Sequence, residues 1–151
     1  MDQQQSVASG RLSLDDATVQ DFMASLRGEV LRPTDEGYDE ARTIHNGTID
    51  RRPTLVARCA GVADVMASVR FARDQQLLVS LRSGGHSLPG FSINDGGLMI
   101  DLSRMRGVRV DAARQTARAD GGVTWGTSIT RRRPLVWRPP AGWSGRPASP
   151  A

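Results

Sequence analysis

The apolar run Leu77-Leu78-Val79-Ser80-Leu81, followed without a break by Arg82-Ser83-Gly84-Gly85-His86-Ser87, constrains the fold more than any other stretch of this chain. Five mostly apolar residues stopped by a glycine pair predict a strand that ends in a tight loop. Adjacent glycines remove two Cβ atoms where a backbone must approach a ligand, and they permit positive φ. Successive N–H groups can then converge on one anion. An anion of nucleotide-diphosphate size suits such a loop, with one imidazole at its tip. The spacing is not the three separated glycines of the dinucleotide fingerprint, and a Walker loop requires a lysine, which this chain lacks altogether.

The flanking segments predict alternating helices and strands. Asp15 or Asp16 caps a helix reaching about Leu26, with Val19, Phe22, Met23 and Leu26 on one face. A second helix is expected from about Asp35 to Ile44, ended by His45-Asn46-Gly47. Arg52-Pro53 forces extended backbone ahead of a strand at Leu55-Val56-Ala57-Arg58-Cys59. Residues 61–76 read as an amphipathic helix whose apolar stripe is Val62, Val65, Met66, Val69 and Ala72, opposed by Asp64, Ser68 and Asp74. This strand, helix and strand form a βαβ unit, which predicts two parallel strands side by side. The glycine loop then falls at the carboxyl end of the second, where open α/β sheets bind ligands. After a loop holding Pro89, Gly90 and Asn94-Asp95-Gly96, a third strand spans residues 97–102, and residues 108–110 and 116–119 pair as a hairpin.

A chain of 151 residues accommodates one domain, and no apolar stretch approaches the roughly 18 residues of a membrane span. The start, Met1-Asp2-Gln3-Gln4-Gln5, has neither the basic nor the apolar part of a secretory signal, so a cytoplasmic location is the expectation. Cys59, the single cysteine, lies in an apolar run and is read as a buried, unreactive thiol. With His45 and His86 as the only histidines, no zinc-like ligand spacing can be drawn, and no metal is expected. Charge is uneven. Residues 1–126 carry 15 arginines against all 16 acids, whereas residues 127–151 carry five arginines, no acid, five of the eight prolines and two of the three tryptophans. The net charge of +4 therefore belongs to the tail, and specific nucleic-acid binding by the rest of the chain is not indicated.

From about Arg27 to Gly126 the chain resembles the N-terminal part of FAD-linked oxidases of the vanillyl-alcohol oxidase and p-cresol methylhydroxylase (PCMH) superfamily, closest to the berberine-bridge-enzyme-like branch. The stretches that carry the resemblance are Asp39-Glu40-Ala41-Arg42, Asn46-Gly47, Asp50-Arg51-Arg52-Pro53, Arg82-Ser83-Gly84-Gly85-His86-Ser87, Gly96-Gly97-Leu98-Met99-Ile100-Asp101-Leu102-Ser103 and Gly121-Gly122-Val123-Thr124-Trp125-Gly126. The fold it implies is α+β, the N-terminal lobe of a PCMH-type FAD-binding domain, incomplete, with a βαβ unit and a small mixed sheet flanked by helices. Residues 1–26 would be a helical extension, 27–126 part of that domain and 127–151 an aberrant tail.

The resemblance implies that Arg82, Ser83, Gly84, Gly85, His86 and Ser87 wrap the FAD pyrophosphate, and that His86 is joined covalently to the flavin 8α-methyl carbon. Backbone donors stabilise phosphates without bulk, and a neutral imidazole is a competent nucleophile near pH 7. Asp101 and Ser103 are read both as cofactor contacts and as strand-end caps. Gly121 and Gly122 are read both as flavin neighbours and as turn residues. His45 stands where those relatives often carry an aromatic residue and is read as packing in preference to catalysis, and Asp50-Arg51-Arg52 as a local ion-pair and loop anchor in preference to a substrate site. The full-length relatives would transfer a hydride from a substrate C–H bond, often at an alcohol or sugar carbon of a small molecule, to the flavin, which oxygen reoxidises.

The chain departs from that pattern after Gly126. The relatives continue into a helix and a second glycine-rich flavin loop, whereas this chain turns arginine- and proline-rich without periodicity. A shifted reading frame near codon 127 is the expectation, which would leave a product without the substrate domain and inactive alone. A non-catalytic FAD- or nucleotide-binding remnant is the competing reading.

Overall fold

A computed structural model describes residues 14–124. Three helices, α1 (Asp16–Ser25), α2 (Tyr38–Arg42) and α3 (Val62–Asp74), alternate with six strands, β1 (Glu29–Leu31), β2 (Leu55–Arg58), β3 (Val79–Arg82), β4 (Leu98–Asp101), β5 (Val108–Asp111) and β6 (Thr116–Ala119). Strands β1 to β4 form one mixed sheet in the order β1-β2-β4-β3, and β5 and β6 form a separate hairpin. Strand β4 runs parallel to both β2 and β3, while β1 is antiparallel to β2. The expected α+β lobe with a small mixed sheet is what the chain forms.

The two central strands are buried on both faces, which explains why their sequences read as continuous apolar runs. Leu55, Ala57 and Cys59 of the β2 segment and Leu98 and Ile100 of β4 share one core with Val19, Phe22 and Ala72. Val56 and Met99 point the opposite way, against Leu31, Tyr38, Ala41, Ile44 and Ile93. On the first face α1 and α3 meet through Phe22 and Phe71, stacked at 4.0 Å between centroids. The Asp15 side chain caps α1 by accepting from the Thr18 N–H, as expected.

Several expectations need correction. The two parallel strands of the βαβ unit are not neighbours, because β4 lies between them and bonds to each. A crossover fixes direction but not adjacency, and the more apolar β4 takes the central place. The stripe assigned to α3 is turned. Val62, Met66 and Val69 are 58%, 50% and 51% exposed, whereas Asp64 and Ser68 are buried with Ala72. Asp64 is drawn inward because its carboxylate accepts from the backbone N–H groups of Arg27, Gly28 and Ala60 at 2.8–3.1 Å. Ser68 returns its hydroxyl to the Asp64 carbonyl at 2.8 Å, so neither polar side chain is unsatisfied. The second helix is shorter than expected. Asp35 turns back to accept from the Arg32 N–H at 2.8 Å, and Gly37 enters α2 at φ +82°. Strand β1 was not anticipated, being only three residues long.

Candidate functional site

The glycine loop leaves the carboxyl end of β3, and four other segments of the chain converge on it. Gly85 adopts φ +70°, and its carbonyl accepts from the His45 N–H at 3.0 Å, which joins the loop to the segment after α2. Asn46 extends that seam by donating from Nδ2 to the Leu88 carbonyl at 3.0 Å. Gly84 makes room for an imidazole, since a Cβ there would lie 2.7 Å from His86 Cδ2. His86 is exposed, and its ring centroid lies 5.1 Å from that of His45, with the planes tilted by 59°. His45 is itself exposed, so the packing role expected for it is corrected to a ring neighbour of His86. Among the described residues, the N–H groups of Ser83, Gly84, Gly85, His86 and Ser87 donate to no protein acceptor. Such an unbroken run of free donors is the chemistry of an anion nest.

Beneath the loop, Arg82 is held from two sides. Its Nη1 donates to the Ala41 carbonyl at 3.0 Å and to Asp101 Oδ2 at 3.2 Å, while its buried Nε has no partner among the described residues. Asp101, at the end of β4, is fully buried and also faces Arg58 Nε at 3.7 Å. Both the N–H and the hydroxyl of Ser103 donate to the Asp101 carboxylate, at 2.9 and 3.0 Å. Asp101 and Ser103 thus make a cap of the strand end and at the same time a brace for Arg82. The Ser83 hydroxyl donates to the Gly121 carbonyl, which brings the second glycine pair to the loop. Gly122 packs where a Cβ would fall 2.1 Å from the Leu102 carbonyl oxygen. Ser87 accepts at its hydroxyl from the Phe91 N–H at 3.1 Å and so closes the next turn.

The remaining sequence-marked charges are structural. Arg42 binds Asp39 at 2.6 Å and also Asp50, and these two carboxylates raise its pKa, while Asp39 is held below the usual carboxylate range chiefly by its hydrogen bond to Arg42. Arg51 donates to the carbonyls of Gly90 and Ile93 at 3.2 and 3.1 Å, and the Arg52 N–H donates to Asp95 at 2.8 Å. The Asp50-Arg51-Arg52 segment is the loop anchor the sequence predicted. Asn94 was missed. It is buried, and it ties the ends of β3 and β4 together by donating to the Leu78 and Leu98 carbonyls while accepting from the Gly97 N–H. Its place in an Asn-Asp-Gly turn hid this role. Trp125, Gly126 and the arginine-rich tail lie outside the described residues.

The loop, whose donors have no acceptors among the described residues, and the Arg82 guanidinium beneath it fit the pyrophosphate of a nucleotide cofactor. Comparison with known proteins points the same way. Residues 53–128 match the family model described as FAD binding domain. The chain is 45% identical over 105 residues to (R)-6-hydroxynicotine oxidase of Paenarthrobacter nicotinovorans, a match covering 70% of this chain and 23% of that protein. Its fold superposes on the crystal structure of 6-hydroxy-D-nicotine oxidase from Arthrobacter nicotinovorans with a TM-score of 0.69 and 42% identity, over 73% of this chain and 24% of the other. Glucooligosaccharide oxidase of Acremonium strictum, described as carrying a 6-S-cysteinyl, 8α-N1-histidyl FAD, superposes with a TM-score of 0.69 and 28% identity over 78% and 25% of the two chains. The chain spans about a quarter of the length of the curated relatives it matches. No helix among the described residues is long and apolar enough to cross a membrane. With its sheet, its glycine loop and the match over residues 53–128 in agreement, the chain belongs to the FAD binding domain family, of the PCMH type, found in FAD-linked oxidases.

Proposed function

We propose that residues 27–126 are the pyrophosphate-binding part of a flavin-dependent oxidoreductase, with His86 as the covalent attachment point of the flavin. The observation that carries this reading is the five consecutive N–H groups, Ser83 to Ser87, without acceptors among the described residues, around an exposed imidazole. Gly84 and Gly85 let the backbone come within hydrogen-bond reach of phosphate oxygens. Arg82, immobilised by Asp101 and the Ala41 carbonyl, places positive charge beneath them, its buried Nε having no partner among the described residues. Ser103 and Asp101 contribute by holding Arg82 and the end of β4, and Ser83 by fastening the loop to Gly121, next to Gly122. The bound flavin would supply hydride acceptance from a small-molecule alcohol or sugar C–H bond and return the electrons to oxygen. The family match ends at residue 128, two residues into the arginine- and proline-rich segment, which supports reading the rest of that segment as foreign to the domain.

The test is expression of the chain in a flavin-replete host, followed by acid precipitation. A yellow chromophore that stays with the polypeptide and is lost in His86→Ala is the expected result. A colourless wild-type precipitate overturns covalent attachment, and failure to retain FAD before precipitation overturns cofactor binding as well.

A further inference from the structure

Both histidines of the chain stand at the glycine loop, and only one of them has been given a task. We propose that His45 is the general base for flavin attachment, accepting the proton that the His86 imidazole must lose as its nitrogen bonds to the flavin 8α carbon. This inference rests on the assignment of His86 as the attachment point.

Three contacts make the proximity of the two rings a built feature. The His45 N–H donates to the Gly85 carbonyl at 3.0 Å, one residue before His86. Asn46 Nδ2 donates to the Leu88 carbonyl at 3.0 Å, two residues after it. Ile49 fills the space over Gly90, where a Cβ would come within 2.6 Å of its Cδ1. The segment carrying His45 therefore follows the loop carrying His86, and the two rings are neighbours, 5.1 Å apart between centroids and tilted by 59°. Both rings are exposed, so either can exchange protons with solvent once the step is complete. The acid that braces the loop, Asp101, is fully buried and committed to Arg58, Arg82 and Ser103, whereas His45 is an exposed imidazole beside the His86 ring.

Atoms and electrons balance in this step. A nitrogen of His86 loses its proton to His45, and the 8α-methyl carbon loses one C–H bond and gains one N–C bond. The second proton goes to the ring system or solvent. Two electrons enter the flavin and are removed by dioxygen, which leaves as hydrogen peroxide. A positioned base contributes about 10²- to 10⁴-fold to a proton transfer of this kind.

The experiment uses the full 151-residue chain, made without flavin and then mixed with FAD in air, with covalent flavin followed by in-gel fluorescence after denaturation. His45→Ala is expected to slow attachment at least about 100-fold, the low end of that range, with added free imidazole restoring most of the rate. Noncovalent FAD affinity, measured in the His86→Ala background where no bond can form, is expected to stay the same when His45→Ala is added. Attachment at the wild-type rate in His45→Ala, or a slowing that imidazole does not relieve, overturns the role of His45 and leaves that of His86 standing. Absence of covalent flavin on the wild-type chain overturns both.

Discussion

The imidazole of His86 lies over Gly84 so closely that an added methyl would stand 2.7 Å from Cδ2 and 3.0 Å from Nε2. The atoms in the way belong to a side chain that can rotate, so Gly84→Ala is expected to change unfolding free energy by no more than about 0.5 kcal/mol while displacing the ring. Covalent flavin should then fall more than about tenfold, because a misplaced nucleophile forfeits its near-attack geometry. Gly85→Ala should behave differently. Its φ of +70° is a left-handed conformation, and the substitution should cost roughly 1–2 kcal/mol. Urea denaturation of the two variants, beside their in-gel flavin fluorescence, separates the cases.

Asp101 holds two guanidinium groups at a fully buried position, with Arg82 Nη1 at 3.2 Å and Arg58 Nε at 3.7 Å. Asp101→Asn keeps the shape and an acceptor for the Ser103 N–H but removes the carboxylate that faces Arg82 and leaves Arg58 with Glu29 alone, at 3.6 Å. Breaking a buried pair in this way costs about 3–5 kcal/mol, so this variant is expected to be less stable than either glycine variant. A denaturation midpoint equal to that of the wild type would show that solvent screens these arginines.

The outward face of α3 yields the opposite expectation. Val62, Met66 and Val69 are each at least half exposed, near Leu78 and Leu81 in their degree of exposure. Met66→Glu and Val69→Lys should alter unfolding free energy by less than about 0.5 kcal/mol and reduce concentration-dependent light scattering, as loss of exposed apolar surface predicts. Ser68→Leu, on the face that periodicity marks as polar, should destabilise by about 1–3 kcal/mol through overpacking at a fully buried site.

The contrast on α3 marks how far the sequence was legible. Local signals were reliable where one interaction decides the outcome: the Asp15 cap, the apolar runs of β2 and β4, and the hairpin of β5 and β6. Periodicity failed on α3 because Asp64 finds backbone donors in Arg27 and Gly28, 37 and 36 residues away in sequence, and no local pattern encodes them. Strand order failed for the same reason, since the place of β4 between β2 and β3 is a tertiary choice. At the site, the loop residues were legible from the glycine pair and the family segments. The bracing of Arg82 by Asp101, and the meeting of His45 with His86, depend on which loops the sheet brings together.

Cys59 sits at 0% exposure between β2 and α3, and burial pushes its thiol up to about 11, with a hydrogen bond to Ser68 opposing the rise. At pH 8 only about one thiolate in a thousand would exist in the folded chain, so maleimide labelling should wait for unfolding. The neutral thiol is the form the fold favours. Its contribution to stability is therefore complete below the ordinary thiol pKa of 9.0 and is lost as pH rises towards about 11. Cys59→Ala should lessen the alkaline loss of stability over that interval, and rapid labelling of the native wild type at pH 8 would contradict the burial.

Asp64 links α3 to the turn before β1, and its titration should be visible in acid unfolding. Burial acts to raise its pKa, but hydrogen bonds from the backbone N–H groups of Arg27, Ala60, Gly28 and Gly61 together outweigh it and hold the carboxyl below the usual range. A carboxyl whose pKa is lower in the folded state stabilises that state above its unfolded pKa, about 3.9, and loses this contribution as pH falls through the folded value. Asp64→Asn retains one acceptor oxygen but turns an amide towards backbone donors. It should cost about 1.5–3 kcal/mol at pH 7, the range for hydrogen bonds to a charged group. The variant should also unfold with a shallower dependence on pH below 4 than the wild type, because the proton that normally undoes these contacts no longer has a carboxylate to bind. Parallel denaturation curves for the two proteins from pH 7 to pH 2.5 measure both effects, and an unchanged pH slope would assign the acid sensitivity to another carboxylate.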